Sequence, residues 1–342
     1  MIWVQAIIRP CPGEVKYHFK ARRTADSRHK QKPLPPAYGG GTHQTAGNTL
    51  SVAPHGTSTP SSSAICLTRP PERHIPATVA TNKSAMNTNH TVRIDTNACI
   101  GCGLCRKDCP VNNIALQNGK ATVQNRHCIQ CGHCVAICPK GAVTMAGFDE
   151  PPYELDTRPS LNPHELLKAI QSRRSIRHFK NKPVPAEIIE RIIEAGRWTP
   201  TAKNAQDVSY IVLDEGKKTY EALAVRFFKK LKPLAGLVYP AARSLTIDDD
   251  FFLKKAPCAI MVLSNNNMNG ALAAANMALV AEACGLGVLY SGFFTVAANR
   301  SWALRQALGL KGTRAIATLV LGYPDVIYRR TAQKEKANVR YL

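Results

Sequence analysis

Two phrases concentrate the sulfur of this sequence. Residues 99–110 read CIGCGLCRKDCP and residues 128–139 read CIQCGHCVAICP, so eight of the twelve cysteines fall in two copies of C-x2-C-x2-C-x3-C-P. Cys11, Cys66, Cys258 and Cys284 lie elsewhere. Tetrahedral zinc takes four ligands, usually as two separated CxxC pairs, and has no use for a third cysteine three residues on. A disulfide framework needs an oxidising compartment, and the opening MIWVQAII lacks the basic flank and the length of a signal peptide. The run suits a cubane 4Fe-4S cluster instead: three thiolates on a tight loop grip three corners, and the fourth ligates the other cluster of a pair. Two copies at a fixed offset meet that reciprocal demand. Cys99, Cys102, Cys105, Cys109, Cys128, Cys131, Cys134 and Cys138 are therefore the candidate metal ligands. The copies also agree at apolar positions, Ile114 with Val143 and Leu116 with Met145, so each half should supply a ligand loop, a short helix and a strand.

A second group of residues lies further on. SRRSIRHFK gathers Arg173, Arg174, Ser175 and Arg177 where like charges repel; a solvated basic face would account for that phrase taken alone. WTPTAKNAQD sets two amides, Asn204 and Gln206, directly after a helix, and CGLGVLYSGFF ends a glycine-flanked strand with Ser291 and Gly292, where backbone could approach a flat ring.

The elements that would position these groups alternate between helix and strand. NPHELLKAIQSR begins with Asn162 as N-cap and Pro163 at the first helical position, and PAEIIERIIEAGRW sets Ile188, Ile189, Ile192 and Ile193 on one face. SYIVLD, CAIMVLS, GVLYSGFF and RAIATLVLGY read as β-rich runs. Between the second and third lies NGALAAANMALVAEACGLG, a small-residue helix closed by Gly285 that is apolar nearly all round and is expected to be buried.

The chain has 342 residues, 44% of them apolar, enough for two domains. Its net charge of +22 divides into +8 over residues 1–85, +2 over 86–150 and +12 over 151–342, with no long basic run. Neither an aromatic-studded single-strand surface nor a helix-turn-helix phrase accompanies that charge, so no nucleic acid partner is expected, whereas docking to an acidic redox protein is. No apolar run reaches the length of a membrane span, and a soluble, cytoplasmic protein is the expectation. Residues 1–85, rich in Pro, Ser, Thr, Gly and His, show no sustained period. They read as disordered, either a misassigned extension upstream of Met86 or a dispensable tail.

Residues 93–146 resemble a bacterial-type two-cluster ferredoxin. The resemblance implies that Cys99, Cys102 and Cys105 with Cys138 hold one cluster, and Cys128, Cys131 and Cys134 with Cys109 the other. Residues 160–335 resemble the nitroreductase family of FMN enzymes, specifically members fused to an N-terminal ferredoxin. The implied fold is α+β: a dicluster ferredoxin-like domain over 86–150, then an α+β nitroreductase-like FMN domain over 160–335. By resemblance Arg173 and Ser175 hold the FMN phosphate and ribityl chain with Arg174 beside them, and Arg177 sits near the pyrimidine edge, where a cation stabilises reduced flavin. Asn204 and Gln206 contact flavin across a homodimer interface, Ser291 and Gly292 lie on the strand beneath the ring, and Arg330 and Lys334 of YRRTAQKEK return to the phosphate. The long small-residue helix packs against its twin.

The chain departs from many relatives at Thr199, Thr201 and Ala202 and at Gln206-Asp207-Val208, where serines and Gln-Pro-Trp are usual, so substrate preference does not carry over. The implied function passes single electrons through two 4Fe-4S clusters to FMN and on to a nitroaromatic, quinone or activated alkene. Ferredoxin, flavodoxin or NAD(P)H could serve as donor, although no G-x-G-x-x-G follows a strand to hold a nicotinamide stably. No residue is assigned as catalytic acid or base. An electron-transfer module docking a protein partner and a cluster-based redox sensor are the alternatives.

Overall fold

The structure is a computed structural model that describes residues 91–124, 128–148, 150–155, 159–238 and 240–342. The N-terminal segment expected to be disordered lies outside the described residues. The first elements are β1 (Thr91–Ile94), α1 (Leu104–Lys107), β2 (Ile114–Gln117), β3 (Lys120–Val123), α2 (His133–Ala136) and β4 (Val143–Ala146). The repeat has folded as a repeat: each cysteine loop runs into a one-turn helix and then a strand. The turn into each helix needs a left-handed residue, and both copies place glycine there, Gly103 (φ 74°) and Gly132 (φ 73°), where a side chain would be strained. The strands then diverge. β1 pairs antiparallel with β4, whereas β2 pairs with β3 through the tight Asn118-Gly119 turn, whose two positive φ values suit a hairpin. Val92, Ile114, Ala121, Ala142 and Val143 pack with the inner cysteines into one small core.

The remaining chain forms α3 (Pro163–Ser172), α4 (Ala186–Arg197), β5 (Ser209–Leu213), α5 (Lys217–Val238), β6 (Cys258–Ser264), α6 (Asn267–Ala283), β7 (Gly287–Tyr290), α7 (Gly292–Arg300), α8 (Trp302–Ala307) and β8 (Arg314–Gly322). The four strands make an antiparallel sheet in the order β5-β6-β8-β7. β6 explains the layering. All seven of its residues are buried, and they alternate strictly: Ala259, Met261 and Leu263 join the core with α5, α7 and α8, while Cys258, Ile260 and Val262 join the core with α4 and α6. Helices therefore cover both faces. The expected caps form, with the Asn162 side chain accepting from the His164 and Glu165 N–H groups (2.9 and 3.2 Å) and Gly285 in the left-handed region after α6.

Two expectations change. α6 is not buried all round: Ala273, Ala274, Met277, Ala278 and Ala281 face the core, but Met268 is 68% and Leu272 45% exposed, and Ala275 is exposed beside them. Its small residues let one face approach the sheet while a second apolar face is left exposed among the described residues. The run GVLYSGFF is strand only to Tyr290. Gly292 starts α7, because Phe294 buries against the α5 side of the sheet and helical winding brings it there. Among the described residues no helix is long and apolar enough to cross a membrane.

Candidate functional site

The eight repeat cysteines divide between two cavities. Cys99, Cys102, Cys105 and Cys138 line one, walled by Ile100, Leu104, Ala142 and Val143. Cys109, Cys128, Cys131 and Cys134 line the other, walled by Val92, Ile114 and Met145. In each, three cysteines come from one loop and the fourth from the opposite copy. Among the described residues no three His, Cys, Asp or Glu side chains converge as a single metal ion would require. Four thiols lining an apolar cavity are the donor set that a cubane cluster would take.

Backbone N–H groups already point at the sulfurs. Ala121 donates to Cys99 Sγ at 3.4 Å, Asn113 to Cys109 at 3.2 Å, Gln130 to Cys128 at 3.4 Å and Ala142 to Cys138 at 3.3 Å. Such bonds stabilise thiolate character and tune the potential of a bound cluster. The Ala121 and Gly101 N–H groups hold the Cys99 thiol below its usual value, while burial pushes Cys105 up and Cys134 to about 11.

The second group of sequence-predicted residues does not come together in one chain. Arg173 closes α3, and its Nε lies 3.4 Å from Glu282 Oε1 near the C-terminal end of α6. Burial raises the Glu282 carboxyl, with Arg173 acting against that shift. The guanidinium of Arg174 lies over the Tyr328 ring at 5.6 Å. Ser175 bridges in parallel to Val288, and the Ile176 N–H donates to the Val288 carbonyl, so this segment extends the sheet along β7. Arg177 is exposed, its Nη1 donating back to the Ser175 carbonyl at 3.4 Å.

β7 leads to Ser291, which is buried and committed to the fold: its N–H donates to the Thr318 carbonyl and its hydroxyl to the Phe252 carbonyl at 2.8 Å. Of the expected pair, Gly292 is the one that faces open space, at the first turn of α7, so the expected strand position is a strand-to-helix junction. Arg330 and Lys334 are exposed on the extended tail beyond Tyr328.

Asn204 and Gln206 sit elsewhere, on the loop between α4 and β5. This loop is stitched along the first ten residues of α6: the Ala202 N–H donates to Asn269 Oδ1 at 3.0 Å, Asn269 Nδ2 donates to Asp207 Oδ1 at 2.6 Å, and Asn276 Nδ2 donates to Thr199 Oγ1 at 2.8 Å. Ser264 Oγ adds a 2.6 Å bond to Asp207 Oδ2. Asn269 and Glu282 are thirteen residues apart on α6, about 20 Å of helix. β5 and β7 are likewise opposite edges of the sheet, about 14 Å apart at ordinary strand spacing. Asn204 Nδ2 donates to the Gln130 carbonyl of the second cysteine loop at 2.8 Å.

Sequence reasoning missed Asp207, Asn269, Ser264 and Glu282. Glu282 had a signal, being the single charged residue of α6. Asp207 appeared only as a departure from its relatives, and nothing local pairs it with residues about sixty positions on.

Comparison with known proteins follows the same division. Residues 91–139 match the 4Fe-4S dicluster domain model and residues 170–323 the nitroreductase family model. A relative from Archaeoglobus fulgidus, provisionally named an NADH dehydrogenase/NAD(P)H nitroreductase, is 29% identical over 161 residues, 47% of this chain and 86% of its own. One of the same provisional name from Methanothermobacter thermautotrophicus is 25% identical over 161 residues, 47% of this chain and 78% of its own. Among solved structures, a Desulfitobacterium hafniense nitroreductase with bound FMN superposes with a TM-score of 0.44 at 22% identity, covering 54% of this chain and all of the other. A Bacteroides fragilis nitroreductase with bound FMN gives 0.43 at 21%, covering 52% and 99%.

Proposed function

We propose that this chain, which joins a 4Fe-4S dicluster domain to a nitroreductase-family domain, is an oxidoreductase that carries electrons through two clusters to FMN and on to a small acceptor such as a nitroaromatic or quinone. The observation that carries the reading is that the two crossed sets of four cysteines lie in the same chain as the nitroreductase-family domain, and that the second set's loop is hydrogen-bonded to it. Bound clusters supply single-electron steps, and bound FMN supplies transfer of electrons singly or in pairs.

The chain's own residues would do the rest. Arg173, Arg174 and Ser175 form a cationic, hydrogen-bonding anchor for a phosphate, with Glu282 fixing Arg173 and Tyr328 stacking on Arg174. Arg177 places a cation where the ring would gain negative charge. Asn204 and Gln206 offer amides to the ring, Gly292 lets backbone approach it, and Ser291 supports Gly292 from beneath through its own bonds. Arg330 and Lys334 add positive charge from the tail.

The site is proposed to be shared between two copies. The anchor and the amides lie at opposite ends of α6, so an antiparallel pairing of α6 with its twin would bring one chain's anchor beside the other's amide loop. The uncovered face around Met268, Leu272 and Ala275 supplies the apolar surface for that pairing. α3 supports it, since none of its residues is buried among the described residues although Leu166, Leu167 and Ile170 are apolar. NAD(P)H is the donor suggested by the relatives' names, and a ferredoxin or flavodoxin the donor suggested by the basic charge.

Anaerobic purification tests the reading. About eight iron atoms and one FMN per chain are expected, with multiple turnover on a nitroaromatic or quinone panel when the protein is fed reductant. Zinc in place of iron, or a full iron count without FMN, would refute it. Full cofactor loading with no turnover on any acceptor would favour the electron-transfer module.

A further inference from the structure

One of the differences between the two cysteine phrases lies inside the ligand loop. Gly101 and Gln130 occupy equivalent places between the first and second cysteines of their loops, both with left-handed backbone (φ 69° and 55°). Gly101 packs against the backbone of Gly119 in the β2–β3 turn, so closely that a Cβ would overlap the Gly119 carbonyl oxygen. The first loop is thus covered by its own domain. Among the described residues the second copy forms no such hairpin, and its strand β4 pairs with β1 instead. Its loop is covered from outside, by Asn204 Nδ2 on the Gln130 carbonyl.

That outside contact is rigidly held. Lys203, Asn204 and Gln206 all have positive φ (55°, 52° and 45°), a conformation that persists only where surroundings over-determine it. Here they do: the Gln206 N–H donates to Thr201 Oγ1, Ala202 is held by Asn269, and Asp207 is clamped between Asn269 and Ser264. The loop that makes the contact with the second cysteine phrase is thus itself braced by its neighbours. It also fixes which site it serves, because Asn204 stands at the far end of α6 from the Arg173 anchor of its own chain.

We propose that electrons leave the iron–sulfur domain by the cluster of Cys109, Cys128, Cys131 and Cys134, across the Gln130–Asn204 junction, and enter the FMN anchored by the partner subunit's Arg173. Delivery is in trans. The inference rests on the shared-FMN reading above. The electrons balance: a one-electron donor of the ferredoxin class reduces the first cluster, which refills the second. Each crossing then oxidises the second cluster by one electron and reduces the flavin by one, and two crossings with one proton from water complete a two-electron reduction.

Mixed dimers test it. Full-length chains carrying Arg173→Ala with Arg177→Ala under one tag, and Cys131→Ser under a second, are co-expressed and purified through both tags. In trans delivery, the one site with an intact anchor faces the one intact second cluster. Its flavin absorbance should bleach in a single turnover with reduced ferredoxin at least tenfold faster than in the Cys131→Ser homodimer. Bleaching no faster than in that homodimer overturns the inference while leaving the FMN reading in place. A parent chain that holds both clusters but no FMN, or holds FMN as a monomer, overturns the shared-site reading and this one with it.

Asn204→Leu provides a second measurement that needs no turnover. Hydrogen exchange of the amides at 128–132 should accelerate while that at 99–103 is unchanged, and unchanged exchange in both loops would show that the junction is not made.

Discussion

Replacing Asp207 with alanine should loosen the loop on which the second site depends, and the cost can be worked from its contacts. Asp207 accepts two short bonds, from Ser264 Oγ and Asn269 Nδ2, each at 2.6 Å. Hydrogen bonds to a charged group contribute about 1.5–3 kcal/mol apiece. Ser264 can turn its single hydroxyl proton to the Asn266 carbonyl at 2.9 Å instead, whereas Asn269, only 2% exposed, loses the acceptor of its amide. The expected loss is about 3–5 kcal/mol, which for a domain of this size lowers the melting temperature by roughly 6–20 °C. Asp207→Asn retains one acceptor and should lose about half as much. Burial pushes the Asp207 carboxyl up, but the bonds from Ser264 and Asn269 more than offset it and hold it below the usual range. Its contribution is therefore present above about pH 4 and is lost as the pH falls through the depressed folded value. Thermal unfolding of the two variants and the parent, followed by circular dichroism from neutral pH downward, measures both effects. An Asp207→Ala protein within about 1 kcal/mol of the parent at neutral pH would refute the reasoning, since that is the scale of one ordinary neutral bond.

Other changes probe the remaining features. Glu221 is 3% exposed, and burial raises its carboxyl although the Phe252 and Leu253 N–H groups oppose the shift. The folded chain thus binds that proton more tightly than the unfolded one, and stability is lost as the pH rises from about 4 toward the raised value. Glu221→Gln should melt higher than the parent at pH 7, with the gap closing near pH 4; a lower melting point at pH 7 would count against this. Tyr210 has a buried hydroxyl without a hydrogen-bond partner among the described residues, so Tyr210→Phe should raise stability by about 1 kcal/mol, measurable by urea unfolding. Arg173→Ala should weaken FMN roughly 10- to 150-fold through loss of a charge-assisted phosphate contact, read by fluorescence titration of the stripped protein. Ala275→Glu places a charge on the open face of α6, and sedimentation should show monomers that have released flavin.

The 4Fe-4S dicluster domain was legible in the sequence alone. The proposed cluster ligation rests on spacing, because a ligand loop is local: C-x2-C-x2-C keeps three thiols close together, and the repeat sets the offset of the fourth. The helix caps at Asn162 and Gly285 and the all-apolar β6 were equally legible, since propensity and period act over a few residues. What sequence could not decide were relations between distant segments. GVLYSGFF carries both strand and helix propensity, and only burial of Phe294 chose helix after Tyr290. α6 reads apolar all round, and only docking against the sheet selected which face is left open. Asp207, Ser264 and Asn269 look unremarkable until the sheet brings them within hydrogen-bonding distance. The Gln130–Asn204 junction spans seventy-four residues and joins two domains. Each of these depends on three-dimensional placement and not on local order, and so only the tertiary structure could fix how the anchor, the amides and the cysteine cavities are distributed along one chain.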